Sequence, residues 1–303
     1  MKVLIIGLGS IAKKHIHALQ SLQKEIHFTA LRNSNKSPSY EQVTDVFSLE
    51  AVDLQSFDFF LISSPTHLHF RHLEQLLPLN KPIFLEKPPI FQLEHREALS
   101  TLFQAHSSLV YTAYNMRFHP AIQWLNDFSR RENILEINAY CGSYLPHWRP
   151  ETDYRTHYSA HKQQGGGVHL DVIHELDYLV WIFGIPEQYT TQLAKVSDLE
   201  INSVDSAVYW LGYSDLIINI TLNYYRKVPK RTVEVVTEDA VYTINLLDST
   251  VYKDGEPYQT FQSGIPETYV QQMKYFLALI QGKAPLMTSF GDALDLLNIA
   301  LNE

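Results

Sequence analysis

The 303-residue sequence predicts an α/β protein, with a parallel-sheet N-terminal domain followed by an α+β domain built on a large, mostly antiparallel open sheet. Three observations lead there. As far as about residue 115, short β-rich runs alternate with helical stretches, the order that parallel strands and crossover helices produce. A glycine turn, Gly7-Leu8-Gly9-Ser10-Ile11-Ala12, follows the first apolar run. From about 184 to 258, strand-like segments succeed one another without helices between them, which reads as antiparallel sheet. The expected domains are 1–116 and 117–303.

Taken in order, Val3-Leu4-Ile5-Ile6 is a continuous apolar run, as a strand buried on both faces requires. A helix follows from Ser10, with Ile11, Ile16, Leu19 and Leu22 as its apolar stripe. Residues 27–31, 57–63, 82–85 and 109–113 read as further strands, 33–39 as a polar loop and 67–77 as a helix. Beyond 115, residues 124–128 look helical and 134–140 alternate like a strand. Gly165-Gly166-Gly167 opens a helix expected to run unbroken to about 183. Strands are expected at 207–213, 216–225, 232–236 and 240–244, and helices at 267–280 and 293–301. One face of this open sheet should pack on helices and the other on a second subunit, giving a homodimer or homotetramer.

Composition narrows the function. A net charge of −9 argues against a nucleic-acid partner, which needs a basic surface. A local basic pocket for an anionic small molecule remains compatible with it. Cys141 is the only cysteine, so neither an intramolecular disulfide nor a cysteine-rich zinc site is possible. The first apolar run is too short for a signal-peptide core, and no segment approaches a membrane span; a cytoplasmic protein is expected.

Gly7-x-Gly9-x-x-Ala12 lies between a buried strand and a helix, the context of a Rossmann dinucleotide-binding turn. Gly7 permits the tight turn, Gly9 lets backbone approach a pyrophosphate, and Ala12 allows close helix–sheet packing. With Ser10 and Ile11 these glycines form the phosphate-binding part of the expected cofactor site. The second strand ends Leu31-Arg32-Asn33-Ser34, without the acid that binds a ribose 2′-hydroxyl. Arg32 suits a 2′-phosphate, with Asn33 and Ser34 as neutral donors, so NADP is favoured over NAD. The alternative is an NAD enzyme whose Arg32 stacks on adenine.

Ser63, Ser64, Pro65 and His69 form a second cofactor-side loop at a strand's carboxyl edge. His67, His69 and His72 crowd there without a carboxylate at ligand spacing, and no metal is expected. In Glu86-Lys87-Pro88 a lysine ends a buried strand beside a carboxylate. A cation there, next to a nicotinamide, favours negative charge developing on a reacting hydroxyl.

These pieces, with Gly165-Gly166-Gly167 leading to Asp171 and His174, resemble the glucose–fructose oxidoreductase, inositol dehydrogenase and rhizopine-catabolism family (Gfo/Idh/MocA) over essentially the whole chain. Tyr114-Asn115-Met116-Arg117-Phe118-His119-Pro120 and Trp148-Arg149-Pro150, with Tyr154 and Tyr158, are similar to its surface-polysaccharide and nucleotide-sugar branch. The resemblance implies that Lys87 contacts nicotinamide and substrate, that His174 is the general acid/base and that Asp171 supports proton transfer. Asn115 and Arg117 join Glu86 and Lys87 on the cofactor side. One departure stands out: many members place the aspartate and histidine four residues apart, whereas Asp171 and His174 are three apart.

Independently of the family, that spacing puts Asp171 and His174 on one face of a continuous helix. A histidine beside a carboxylate suits proton transfer from a sugar hydroxyl. A zinc-peptidase reading of His174-Glu175 fails because position 178 is Tyr178, and His169, Asp171 and His174 are not expected to bind metal. Arg117, His119, Trp148, Arg149, Tyr154 and Tyr158 supply the aromatic and cationic groups that sugars and their phosphates require. The expected protein is an NAD(P)-dependent oxidoreductase acting on a hydroxyl carbon of a sugar or nucleotide sugar. Two alternatives stay open: a redox-neutral NAD-dependent glycosidase or epimerase, and a non-catalytic dinucleotide-sensing regulator.

Overall fold

In the computed structural model the described residues are 1–23, 25–33 and 38–302. They fall into two compact units, Met1–Ala113 with Tyr269–Leu294, and Tyr114–Thr268 with Asp295–Glu303.

The first unit contains β1 (Lys2–Ile6), α1 (Ser10–Leu22), β2 (His27–Leu31), β3 (Val43–Val46), β4 (Phe59–Ile62), α2 (His69–Leu76), β5 (Ile83–Glu86), α3 (Arg96–Ala105) and β6 (Val110–Ala113). Its six strands lie in the order β3-β2-β1-β4-β5-β6. Every pairing is parallel. The order reverses between β1 and β4, and the crevice at the carboxyl ends of such strands is where ligands bind in this class of sheet. The core of this unit joins Val3 and Ile5 of β1, Ile16 and Leu19 of α1, and Phe59 of β4 to Met273 and Phe276. Each such buried side chain contributes roughly 1.5–3 kcal/mol. The strand β3 had no counterpart in the sequence reading. It is a four-residue edge strand, and Val-Thr-Asp-Val has too short an apolar pattern to signal one.

The second unit contains α4 (Pro120–Phe128), β7 (Ile134–Tyr144), α5 (Val168–Asp171), α6 (His174–Phe183), β8 (Gln188–Ala194), β9 (Ser206–Gly212), β10 (Ile217–Asn223), β11 (Tyr225–Thr237), β12 (Val241–Asn245), β13 (Thr250–Lys253) and β14 (Glu256–Thr260). The helices α7 (Ile265–Ile280) and α8 (Phe290–Leu301) complete the chain. The eight strands run in the order β14-β13-β12-β11-β7-β10-β9-β8. All pair antiparallel except β7 with β10, so the expected mostly antiparallel sheet is present. Strand alternation buries Ile137, Ala139 and Cys141 of β7 on the face that packs against α6. Trp210, Val208 and Ile217 are exposed. Among the described residues no helix is long and apolar enough to cross a membrane.

One expected element is different. The helix after the glycine run is not continuous: α5 ends at Asp171, Val172 leaves helical geometry at φ −111° and ψ 32°, and α6 starts at His174. Two β-branched residues, Val172 and Ile173, occupy the break. Asp171 and His174 therefore end one helix and begin the next rather than sharing one helical face. Gly166 is required just upstream, since a Cβ there would stand 2.2 Å from the Tyr158 carbonyl oxygen.

Gly7 has the same status in the first unit. Its φ is +88°, and a Cβ would lie 2.8 Å from Ser64 Cα. Gly7→Ala should therefore cost at least about 2 kcal/mol, from left-handed strain and overpacking together. Urea unfolding checks this; a variant as stable as the wild type would show that the β1–α1 turn relaxes freely.

Candidate active site

The β1–α1 turn is built for an anion. Gly9, the N-cap of α1, brings no side-chain cap, and the first helical turn carries no acidic residue. The helix N-terminus thus keeps its partial positive charge available. Among the described residues a Cβ on Gly9 would meet nothing within 4 Å, which leaves room for close approach to the backbone. Ser10 is exposed and Ile11 partly so at the same turn. Ser63 Oγ donates to the Gly7 carbonyl at 2.8 Å, tying the β4 loop to the glycine turn. These features fit the diphosphate of a dinucleotide.

The other first-unit residues expected on the cofactor side have the following partners. Arg32 is buried, and its Nη1 donates to Asp45 Oδ2 at 2.6 Å and to the Pro38 carbonyl at 3.1 Å. The fork expected to face a 2′-phosphate is thus already partly engaged by a carboxylate from β3. Asn33 is exposed, and Ser34 lies outside the described residues. Ser64 Oγ lies 3.0 Å from His72 Nδ1, and Pro65 is exposed. His69 is buried, with Nδ1 3.0 Å from the Pro88 carbonyl oxygen and Nε2 2.9 Å from that of Ser64. Its ring joins two loops through their backbones, and burial lowers its pKa. Burial, followed by the charges of His69 and Arg71, holds His72 at about 4.

Glu86 is the pivot of the Glu-Lys-Pro segment. Its Oε2 accepts from the Lys87 backbone N–H at 3.2 Å, while Oε1 accepts from His15 Nε2 at 2.5 Å. His15 is fully buried on α1, between the rings of Phe84 and Tyr269. Lys87 itself is half-buried at the carboxyl end of β5.

In the second unit Asp171 is the centre of a hydrogen-bonded cluster. Tyr158 Oη donates to its Oδ1 at 2.7 Å and Tyr224 Oη to its Oδ2 at 2.5 Å. Burial, and then the Asp171 charge, push both phenols well above the usual tyrosine range, so both remain donors. Trp148 and Tyr224 make a T-shaped contact at 5.3 Å between ring centroids, while Trp148 Nε1 donates to Ser143 Oγ. His174 is half-buried, its ring 6.4 Å from that of Tyr114 in a T-shaped contact. Tyr224 was not among the expected site residues: it is the bend residue between β10 and β11, and no motif marks it.

The other residues expected to contact cofactor or substrate in this unit have these partners and exposures. Arg117 is buried and bidentate on Asp177, with Nε donating at 2.9 Å and Nη2 at 2.5 Å. His119 caps α4, its Nδ1 accepting from the Ala121 N–H at 3.2 Å. Asn115 Nδ2 donates to Thr268 Oγ1 at 2.6 Å. Tyr154 Oη accepts from the Glu200 N–H at 3.2 Å. Trp148 and Arg149 are exposed. On the other side of α6, Arg231 Nε donates to the fully buried Glu175 at 2.5 Å. Burial, and then the Glu175 charge, raise the Cys141 thiol to about 12, which leaves it inert at neutral pH.

Residues 1–114 match the model of an oxidoreductase family with an NAD-binding Rossmann fold, GFO_IDH_MocA. An uncharacterized oxidoreductase of Synechocystis sp. is 24% identical over 207 residues, 64% of this chain and 54% of its own. Glucose-6-phosphate 3-dehydrogenase of Bacillus subtilis is 25% identical over 179 residues, 56% of this chain and 51% of its own. The chain thus spans about half the length of these curated relatives. UDP-N-acetylglucosamine 3-dehydrogenase of Acidithiobacillus ferrooxidans shares the fold, with a TM-score of 0.79 at 18% identity over 100% of this chain and 96% of that one.

Two stability predictions follow from this framework. Arg117→Ala strips the buried Asp177 of its bidentate ion pair and should cost about 3–5 kcal/mol in urea unfolding. Arg149→Ala, at an exposed position, should stay within about 0.5 kcal/mol of wild type. Equal effects would contradict the framework role of Arg117. The second concerns pH. Burial, and then the nearby Arg231 charge, lower His119 to about 4 from an ordinary 6.5. Its native pKa lies below its unfolded one, so its contribution is complete above about 6.5 and is lost as pH falls through about 4. His119→Asn, which keeps the cap, should flatten the fall in Tm between these pH values; an unchanged slope would contradict it.

Proposed function

We propose that the chain, whose residues 1–114 match the model of an oxidoreductase family with an NAD-binding Rossmann fold, transfers a hydride between a nicotinamide dinucleotide and a hydroxyl carbon of a sugar or nucleotide sugar. The observation that carries this proposal is the open Gly9-capped N-terminus of α1 at the point where the parallel strand order reverses. The bound nicotinamide supplies the hydride acceptor, or in reverse the donor. Gly7, Gly9, Ser10 and Ile11 hold its phosphates, with Ser63 and Ser64 beside them. Arg32 favours NADP, and NAD is the alternative.

In the oxidative direction the hydroxyl carbon loses a hydride while the hydroxyl loses a proton. We assign proton removal to His174 and its electrostatic support to Asp171. The carboxylate of Asp171 is fixed by two tyrosine donors, which suits a group whose task is to stay charged and still. Lys87 donates to the oxygen as negative charge develops on it. Trp148 and Arg149, both exposed, are the side chains best suited to a sugar ring and an attached phosphate. The names of two similar proteins, a glucose-6-phosphate 3-dehydrogenase and a UDP-N-acetylglucosamine 3-dehydrogenase, support that class.

Residues 117–303 are assigned to substrate binding and self-association. The exposed Trp210, Val208 and Ile217 of the second sheet support a homodimer or homotetramer. A cytoplasmic enzyme of surface-polysaccharide or nucleotide-sugar metabolism accommodates all these assignments.

Lys87→Met and His174→Asn should each lower turnover by about 10²–10⁴-fold while leaving NADH and NADPH affinity within about twofold. The measurement is absorbance near about 340 nm on a panel of sugar phosphates and nucleotide sugars. Near-normal turnover in both variants rejects the assignment; product without net absorbance change identifies redox-neutral chemistry instead.

A further inference from the structure

We infer that Asp45 is a specificity-determining residue for the dinucleotide, acting through Arg32. Asp45 has this role only if a dinucleotide binds at the β1–α1 turn, as proposed above; nothing about the substrate enters. The strand β3 runs parallel to β2 in a register that sets Ala30 against Asp45 and Leu31 against Val46. Arg32 follows directly, and its backbone N–H donates to the Val46 carbonyl at 2.9 Å, so the end of β2 is fixed to β3. From there the guanidinium Nη1 donates to Asp45 Oδ2 at 2.6 Å and to the Pro38 carbonyl at 3.1 Å. The two side chains are only 7% and 19% exposed, so water screens the pair poorly. Asp45 Oδ1 is buried with no hydrogen-bond partner among the described residues.

In a sheet of this order the carboxyl end of β2 faces the ribose of the adenosine half. An acid there accepts from a 2′-hydroxyl, and an arginine takes a 2′-phosphate. Both residue types stand at this position, the arginine just past β2 and the acid on β3. The carboxylate orients the guanidinium and offsets its charge. Within a site that favours NADP through Arg32, Asp45 therefore limits the preference and keeps NAD acceptable. Removing the carboxylate takes away a negative charge 2.6 Å from the guanidinium, which strengthens attraction for a phosphate dianion and hardly changes that for a neutral hydroxyl.

Fluorescence titration of NADH and NADPH against the full chain tests this without any turnover. Asp45→Asn should raise the ratio of NADPH to NADH affinity by about tenfold and make NADPH binding more sensitive to salt. Arg32→Ala should lower the ratio, and the double variant should match Arg32→Ala alone because Asp45 acts through the guanidinium. Asp45→Ser, with the same expectation, serves if the asparagine variant fails to show a wild-type melting transition. An unchanged ratio in Asp45→Asn, or a shift that persists when Arg32 is also removed, overturns the role of Asp45 while leaving the proposed function standing. Binding of neither nucleotide by the folded wild-type protein overturns the proposed function itself.

Discussion

The contact between the β1–α1 turn and the start of the β4 loop is the constraint on which the first unit depends. Gly7 takes a φ of +88° with Ser64 Cα 2.8 Å from where a Cβ would stand, and its carbonyl accepts from Ser63 Oγ. A side chain at Gly7 would separate β1 from β4 at the point where the strand order reverses. That separation would remove the crevice in which the α1 N-terminus offers its N–H groups. The cost of this packing is a residue with no side-chain contribution at the sheet's centre, offset by apolar strands buried on both faces.

Buried charge organises much of what surrounds the candidate groups. In the first unit, Glu86 receives both the Lys87 backbone and the His15 ring, so an α1 side chain is fastened to the segment that presents the lysine. In the second, α6 carries two fully buried acids in its first turn, Glu175 and Asp177, each taken by an arginine from another element. Buried pairs of this kind add little net stability compared with apolar packing, yet losing one partner is expensive. Their benefit is a unique placement, here of the helix start that carries His174.

What could be read from the sequence follows the range of each interaction. The β1 strand and the glycine turn are local patterns, and residues 1–12 display them without help from the rest of the chain. The mostly antiparallel second sheet was legible from alternation, although its parallel β7–β10 pairing was not, because register between distant strands leaves no local mark. The break at Val172 was invisible because a continuous apolar helical pattern runs across it. Arg117 and His119 had the residue types of a substrate site, yet one is committed to Asp177, sixty positions away, and the other caps its own helix. Asp45 and Tyr224 went unnoticed for the complementary reason: their partners, Arg32 and Asp171, lie 13 and 53 positions distant.

The most direct test of the account is amide hydrogen exchange, followed by mass spectrometry, on the wild-type protein with and without NADH or NADPH. The predicted result is slowed exchange in peptides covering 7–12, 63–69 and 86–87, the glycine turn and the two loops beside it. Unchanged exchange there at saturating nucleotide, or protection confined to other segments, would contradict the placement of the cofactor and the chemistry derived from it.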